Sequence, residues 1–454
     1  MGAEVADIRD MRENVPLTRA ISDWIGDAAR TPVGANALIW ARHCLLDWTA
    51  VVIAARDEPL VRAVKRTAVE DGSGTSALIG HAETVSPAWA VLVNGSAGHA
   101  LDYDDVNSMM VGHPTVAVLP ALVTRGESLN LSIPKLMDAF IRGYEVAAQL
   151  GRLIGTAHYA QGFHNTATIG TFGSAAALAA LEGMSAEQTA HALGFSAARA
   201  AGLKAMFGTM TKPVQVGCAA QAGYLATRLV RHGLTANPDG IEAGQGFIRA
   251  HGLSAEGLAF APAKTGQFAV EHTLFKRHAA CYLTHAAIEC MRALTAEHGS
   301  DRIDRIVLHV PEQILGSCNI DDPGSDLECK FSLRHAAAMV LAGTDTADLN
   351  AYRLEDAQSG RMRSLRARVS VAGEQVPAAA LMHSRVVAQL TDGRIVESEF
   401  DTGVPATDTA LQWSELCAKA RRIIDPVLGE GRAARIIALI EQNAPIRQLL
   451  EASR

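Results

Sequence analysis

Arg385-Val386-Val387-Ala388-Gln389-Leu390, then Thr391-Asp392-Gly393, then Arg394-Ile395-Val396-Glu397-Ser398-Glu399-Phe400 decides the fold class of this chain. Two runs rich in β-formers on either side of an Asp-Gly pair predict a β-hairpin. Two nearby segments share that texture. Arg305–Val310 is a short β-branched run ended by Pro311, and Arg366–Val371 alternates polar with apolar residues. Between them Ser332 predicts a helix start and Gly343 its end. Outward in both directions the chain reads as helix after helix. Ala35–Ala55, Ala88–Ala100 and Gln215–His232 have helical character. Ser132 followed by Pro134 opens an apolar-periodic run to about Ile154, and Ser185 with Gln188 forms a capping-box pattern before Thr189–Ala200. After Asp408 helix returns in Trp413–Ala420 and Arg432–Gln442. The expected fold is mainly α with an α+β insertion: a large all-helical domain over 1–271, a smaller α+β domain over 272–404, and a tail over 405–454 that rejoins the helical body.

Composition narrows the function classes. The chain has 454 residues, 48% hydrophobic and 20% charged, which suits a large packed core and excludes a disordered protein. The apolar run Trp48–Ala55 falls far short of the ~20 residues of a membrane helix. The start, Met1–Glu13, is charged and lacks an apolar h-region, so no secretory signal is expected. Net charge is −7, from 41 basic and 48 acidic residues, without a Lys/Arg block that would mark a nucleic-acid footprint. The seven cysteines (Cys44, Cys218, Cys281, Cys290, Cys318, Cys329, Cys417) are odd in number and form no CxxC. That argues against a disulfide framework, a zinc ribbon or an iron–sulfur cluster. The expectation is a reduced, cytoplasmic protein that uses neither metal nor cofactor and binds neither nucleic acid nor membrane.

GxSxG, HExxH, Walker A and strand-linked GxGxxG motifs are missing from the sequence. A different arrangement recurs four times: a polar or cationic residue just before a helix start. Gly98-His99-Ala100-Leu101-Asp102-Tyr103-Asp104-Asp105 ends one helix, and Gly112-His113-Pro114 opens the next with Pro114 at the first helical position. His99 and Asp102 are three apart and can share a face, while acids at a helix C-terminus oppose its dipole and call for partners. His164 precedes a Gly/Ala-rich helix that Asn165 or Thr166 can cap. Lys212 precedes Val214–His232, where its charge is unfavourable unless an anion sits there too. Lys276, Arg277, Cys281, Tyr282 and His285 stand at the junction with the second domain. Together His113, His164, Lys212 and Lys276 suggest a cationic pocket for a di- or tricarboxylate, with Asp102 orienting a histidine or serving as base.

These motifs resemble the MmgE/PrpD family. The resemblance rests on His99-Ala-Leu-Asp102-Tyr-Asp-Asp105, Gly112-His113-Pro114-Thr115, Gly208-Thr-Met-Thr-Lys212-Pro213, the Glu242-Ala-Gly-Gln-Gly-Phe247 turn, and Lys276 followed by Cys281-Tyr282 and His285. It covers most of the chain in the same motif order. It implies a helical domain, an α+β lid, a homodimer, a site between the domains, and acid–base catalysis without metal on a small polycarboxylate. Known members include 2-methylcitrate dehydratase, cis-aconitate decarboxylase and iminodisuccinate epimerase. By family motif, Asp102, His113, His164, Lys212 and Lys276 fall on active-site positions. Val106 stands where decarboxylase members carry Thr, and Cys281 where they carry His.

The leading expectation is therefore a metal-independent dehydratase-like lyase, with an epimerase as alternative and a decarboxylase after it. Tyr144 and Tyr159 join His113, His164 and Lys212 as acid–base candidates. His99, Asp105, Lys276, Arg277, Cys281, Tyr282, His285 and Tyr159 are candidates for substrate binding. A carboxylate-binding helical scaffold, and a metal hydrolase built on His99, Asp102, Asp105 and His113, are the readings from other classes.

Overall fold

The computed structural model describes residues 16–27, 31–264, 267–377 and 380–454, so the charged start Met1–Glu13 lies outside the described residues. The protein is mainly α, with a small α+β region inserted between helical segments.

The site is placed by two helices, Pro87–Ala100 and Thr211–Arg231. Both are rich in small residues, and they meet where each carries glycine. A Cβ on Gly95 would lie 2.9 Å from the Gly217 Cα, so only glycine permits this approach. The contact brings the end of the first helix beside the start of the second. Pro114–Leu129 and Asn165–Glu182 pack against this pair, and Ile133–Leu150 packs on those two helices. Ile133–Leu150 continues through a π-turn, Gly151–Gly155, so helix persists to about the expected end. Ser132 bridges Pro445 of the tail, and the Ser185–Gln188 capping box forms as the sequence predicts.

Ala35–Ala54 corrects one expectation. It is long and apolar enough to cross a membrane by length and composition, because Arg42, His43 and Asp47 interrupt a strongly apolar average. In the structure 78% of its apolar window is buried in protein. Its polar side chains face the tail helix Thr409–Leu428: Gln412 pairs with His43 at 2.8 Å, and Lys419 with Asp47 at 2.7 Å. Asp408 caps that tail helix by accepting from the Ala410 and Leu411 amides. Leu416, Ala420 and Ile424 share one core with Leu45 and Trp48.

The inserted sheet has strand order Val369–Glu374, Ile303–Pro311, His383–Leu390, Ile395–Asp401. The first two strands are parallel and the other neighbours antiparallel. Gln389 pairs with Ile395 across the expected turn, where Gly393 takes a left-handed φ of +88°. The first strand starts at Val369 rather than Arg366, because Ser359 caps a short helix, Gly360–Arg366, that takes up the preceding residues. Ser332 caps Leu333–Leu341 as expected, and Gly343 follows it with φ +74°. Ile306, Leu308, Val386 and Ala388 pack with Ile288 and Met291 of helix His285–His298 to form the core of this region.

Candidate active site

Pro87–Ala100 ends in a buried acidic loop. Asp102 adopts φ +51°, a left-handed conformation that Asp tolerates better than most residues, and residues 101–105 turn inward. Three buried lysines donate to three consecutive carbonyls of that loop. Lys330 reaches Leu101 O at 2.9 Å, Lys276 reaches Asp102 O at 2.6 Å, and Lys419 reaches Tyr103 O at 2.8 Å. Cations at a helix C-terminus match the dipole that the acids oppose. The Asp102 carboxylate takes two further bonds: Lys212 Nζ on Oδ1 at 2.6 Å and Lys276 Nζ on Oδ2 at 2.9 Å. Burial works against its charge, but Lys212 and Lys276 outweigh burial and hold it well below the usual carboxylate range. The anion expected beside Lys212 is thus the protein's own Asp102. Lys212 also lies over two rings, 5.3 Å from Phe207 and 5.4 Å from Phe331. Burial pushes Lys330 down to about 8.

Two residues on, Asp104 serves histidines instead. Its Oδ2 lies 2.8 Å from His99 Nδ1 and 3.1 Å from His113 Nδ1. Burial again opposes the charge, and the two histidines hold the carboxyl well below its usual range. His113 Nδ1 also lies 2.7 Å from the Asp105 carbonyl. His99 meets His113 edge-on at 4.7 Å and stacks with His164 at 5.8 Å, while Phe207 closes on His164 at 5.1 Å. Burial lowers His99 to about 4 and His164 well below its usual value. His113 and His164 are the N-cap residues of Pro114–Leu129 and Asn165–Glu182. A polycarboxylate would thus meet cationic side chains on one side and imidazoles at two helix N-termini on the other.

The MmgE/PrpD N-terminal domain matches residues 19–256, and the MmgE/PrpD C-terminal domain matches residues 278–444. The chain belongs to the MmgE/PrpD family. Among its relatives, the cis-aconitate decarboxylase of Mus musculus is 29% identical over 377 residues, which is 78% of this chain and 75% of that protein. The cis-aconitate decarboxylase of Homo sapiens is 32% identical over 337 residues, 70% of this chain and 68% of that one. That of Aspergillus terreus is 27% identical over 300 residues, 62% and 61% of the two chains.

In this MmgE/PrpD chain Asp102, His113, His164, Lys212 and Lys276 come together as the motifs suggest, but their pairings differ from the local reading. His99 pairs with Asp104, not Asp102, because the left-handed turn at Asp102 takes it off the helix face. Asn165 and Thr166 do not cap the helix after His164. The Asn165 amide donates to the carbonyls of Gly155 at 2.9 Å and Met110 at 3.1 Å, and Thr166 Oγ1 accepts from the His113 amide at 3.2 Å. Both residues lash the 107–113 loop to the helix. The Asp105 carboxyl points away from the lysines: it accepts from Thr115 Oγ1 at 2.6 Å, and burial with Asp47 pushes it up to about 8. Tyr144 is fully buried and bonded to Thr273 at 2.7 Å, apart from the histidines.

Cys281 borders the lysine side, where burial and then Asp102 push its thiol up to about 11. Tyr159 carries the Lys204 ammonium 3.8 Å above its ring, and burial pushes its phenol up to about 12. Arg277, Tyr282 and His285 line a cavity of about 440 Å³ between the α+β region and the tail, and Lys276 and Lys419 line it as well. There Arg277 pairs with Glu415 at 3.2 Å and Tyr282 donates to Thr402 O at 2.7 Å. The Glu242 turn also works elsewhere, with Glu242 accepting from the Thr18 hydroxyl and amide.

Sequence reasoning passed over Asp104, Lys330, Phe207 and Phe331 as site residues. The three acids at one helix end were the available signal for Asp104. Lys330 and Phe331 come from a distant segment and carry no local signal.

One group among the described residues, His99, Asp104 and His113, has ligand atoms within 4.8 Å of one another, as a metal site would need. Both Nδ1 atoms face oxygen acceptors, so each carries a proton in this arrangement. A proton on Nδ1 would have to leave before that atom could ligate a metal.

Proposed function

We propose that this protein is a lyase that removes a proton α to a carboxylate of a small di- or tricarboxylate, as a 2-methylcitrate dehydratase-like hydro-lyase does. One observation carries this reading: two lysine ammoniums held on Asp102 beside the His99–His113–His164 stack. Lys212 and Lys276 against a single carboxylate leave the lysine side net positive, which suits a substrate carboxylate. The same ammoniums stabilise the enolate-like charge that grows as the proton leaves. A neutral imidazole takes the proton, and expulsion of a β-hydroxyl then needs an acid, for which Tyr159 and the second histidine are at hand. Val106 packs with Leu274 and Tyr282, and with Cys281 it offers neither a hydroxyl nor an imidazole at the positions where the resemblance gives decarboxylases both. That speaks against decarboxylation.

Decarboxylation is the second reading, favoured by the relatives' activity as cis-aconitate decarboxylases. Proton NMR in D2O separates the readings, with 2-methylcitrate, citrate, cis-aconitate and both iminodisuccinate diastereomers as substrates. Loss of water with disappearance of the α-proton signal, and deuterium at the α-carbon of recovered substrate where the elimination reverses, is the expected result. Release of CO2 from cis-aconitate would establish the second reading. Deuteration of iminodisuccinate with inversion and no elimination would make the protein an epimerase. Silence across the panel, with active controls, would overturn the proposal.

A further inference from the structure

The two histidines that share Asp104 are an arrangement that none of the family motifs explains. We propose that Asp104 is the positioning residue of the site, fixing His99 and His113 as Nδ1–H tautomers so that His113 Nε2 is the proton-accepting atom. The argument starts from hydrogen-bond inventory. An ionised carboxylate and a backbone carbonyl only accept. His113 Nδ1 lies 2.7 Å from Asp105 O and must donate there, and the same atom stands 3.1 Å from Asp104 Oδ2, in ion-pair contact with the carboxylate. His99 Nδ1, 2.8 Å from the same Oδ2, must donate as well. A neutral imidazole has one proton, so the Nε2 atom of each ring holds a lone pair.

Exposure then separates the rings. The His99 side chain is 0% exposed and that of His113 14%. His99 Nε2 and Asp104 Oδ1 are buried and find no partner among the described residues. His99 is thus a neutral spacer between His113 and His164, and His113 is the ring a substrate can reach. Thr166 holds the His113 backbone amide and Asp105 O aligns its ring, so the base is fixed from both ends.

The step deepens the proposed function and rests on it. The α C–H bond breaks, its electron pair passes into the substrate carboxylate as an enolate, and the proton goes to His113 Nε2. The imidazolium so formed lies against the Asp104 carboxylate, which compensates its charge. The other charged or titratable groups around this pair are His99, His164, Lys212 and Asp102, with Asp105, Asp47 and Lys419 acting on Asp104. The lysines lie toward Asp102 and face the enolate.

The test uses the whole protein labelled with [15N]histidine. Long-range 1H–15N spectra at neutral pH report which nitrogen of each ring carries the proton, with His99→Gln and His113→Gln assigning the signals. The expected result is Nδ1–H for both rings. Protons on Nε2 of either ring would overturn the inference whatever the substrate proves to be. With the substrate found by the D2O panel, Asp104→Asn is expected to lower kcat about 10²–10⁴-fold with KM little changed. The acid limb of its pH–rate profile should move to lower pH, since the charge that favours the imidazolium is gone. An unchanged limb and kcat in a folded variant would also overturn the inference. Silence in the panel would remove the proposed reaction but leave the tautomer measurement standing.

Discussion

Asp102 and Asp104 sit two residues apart on one buried loop, and the protein surrounds them with opposite chemistry. Asp102 meets ammoniums from Lys212 and Lys276. Asp104 meets imidazoles from His99 and His113. The lysine side presents ammoniums, which suits binding an anion. The histidine side presents imidazoles, whose ring nitrogens can accept or donate a proton, which suits chemistry. The two sides also differ in origin. All three histidines come from the helical body, whereas Lys276, Lys330 and Phe331 come from the far side of the α+β junction. The histidine side is a property of the body, whereas the lysine side joins Lys212 of the body to Lys276 and Lys330 and is complete only when the α+β region is docked.

The sharpest way to break this contrast is Asp102→Asn. It leaves two buried ammoniums without a countercharge, and breaking such a pair costs about 3–5 kcal/mol. A large fall in melting temperature and loss of turnover are expected; a variant as stable and active as the parent would remove the lysine side from the account. Lys212→Ala comes next, with turnover down about 10²–10⁴-fold. Lys212→Arg should fail to restore it, because a planar guanidinium does not fit between Phe207 and Phe331 as a compact ammonium does.

Acid titration probes the histidine side. His99, like His43, His81, His158 and His335, is lowered to about 4 from a value near 6.5 when unfolded, with burial the leading cause. The unfolded chain therefore binds more protons between these values, so stability is full above about pH 6.5 and falls toward pH 4. His99 alone accounts for a fall on the order of 3 kcal/mol, at about 1.4 kcal/mol per pKa unit. Melting temperature followed from pH 8 to pH 4 should stay level and then drop; a flat curve to pH 4 would show that these rings are not buried as neutral groups. The smallest effect expected is from Phe207→Leu, which removes a ring from both Lys212 and His164. It should weaken substrate binding by about 0.5–1 kcal/mol, read as a few-fold rise in KM with kcat little changed.

Much of the fold was legible because local chemistry specified it. The Thr391-Asp392-Gly393 turn set a hairpin, Ser185 with Gln188 closed a capping box, and Ser332 capped the helix assigned to it. Where the reading slipped, a neighbour competed for the same residues. Ser359 drew Arg366 into a helix, and the 107–113 loop took Asn165 and Thr166 away from capping. At the site, residue types and motif order were enough to assemble Asp102, His113, His164, Lys212 and Lys276. Arg277, Tyr282 and His285 line a cavity that they share with Lys276.

By itself the sequence determined that this is a helical protein with one α+β insertion, that helix starts carry its histidines and a lysine, and that the charge of Lys212 at a helix start is unfavourable without an anion beside it. Those conclusions follow from periodicity, caps and dipoles, all of which act within a few residues. Only the tertiary structure decided which acid meets which cation. A left-handed φ at Asp102 turns it away from His99 and gives that ring to Asp104, while Gly95 against Gly217 brings Lys212 to Asp102. A hydrogen bond between residues more than a hundred positions apart depends on how helices pack, and short-range patterns carry no record of that.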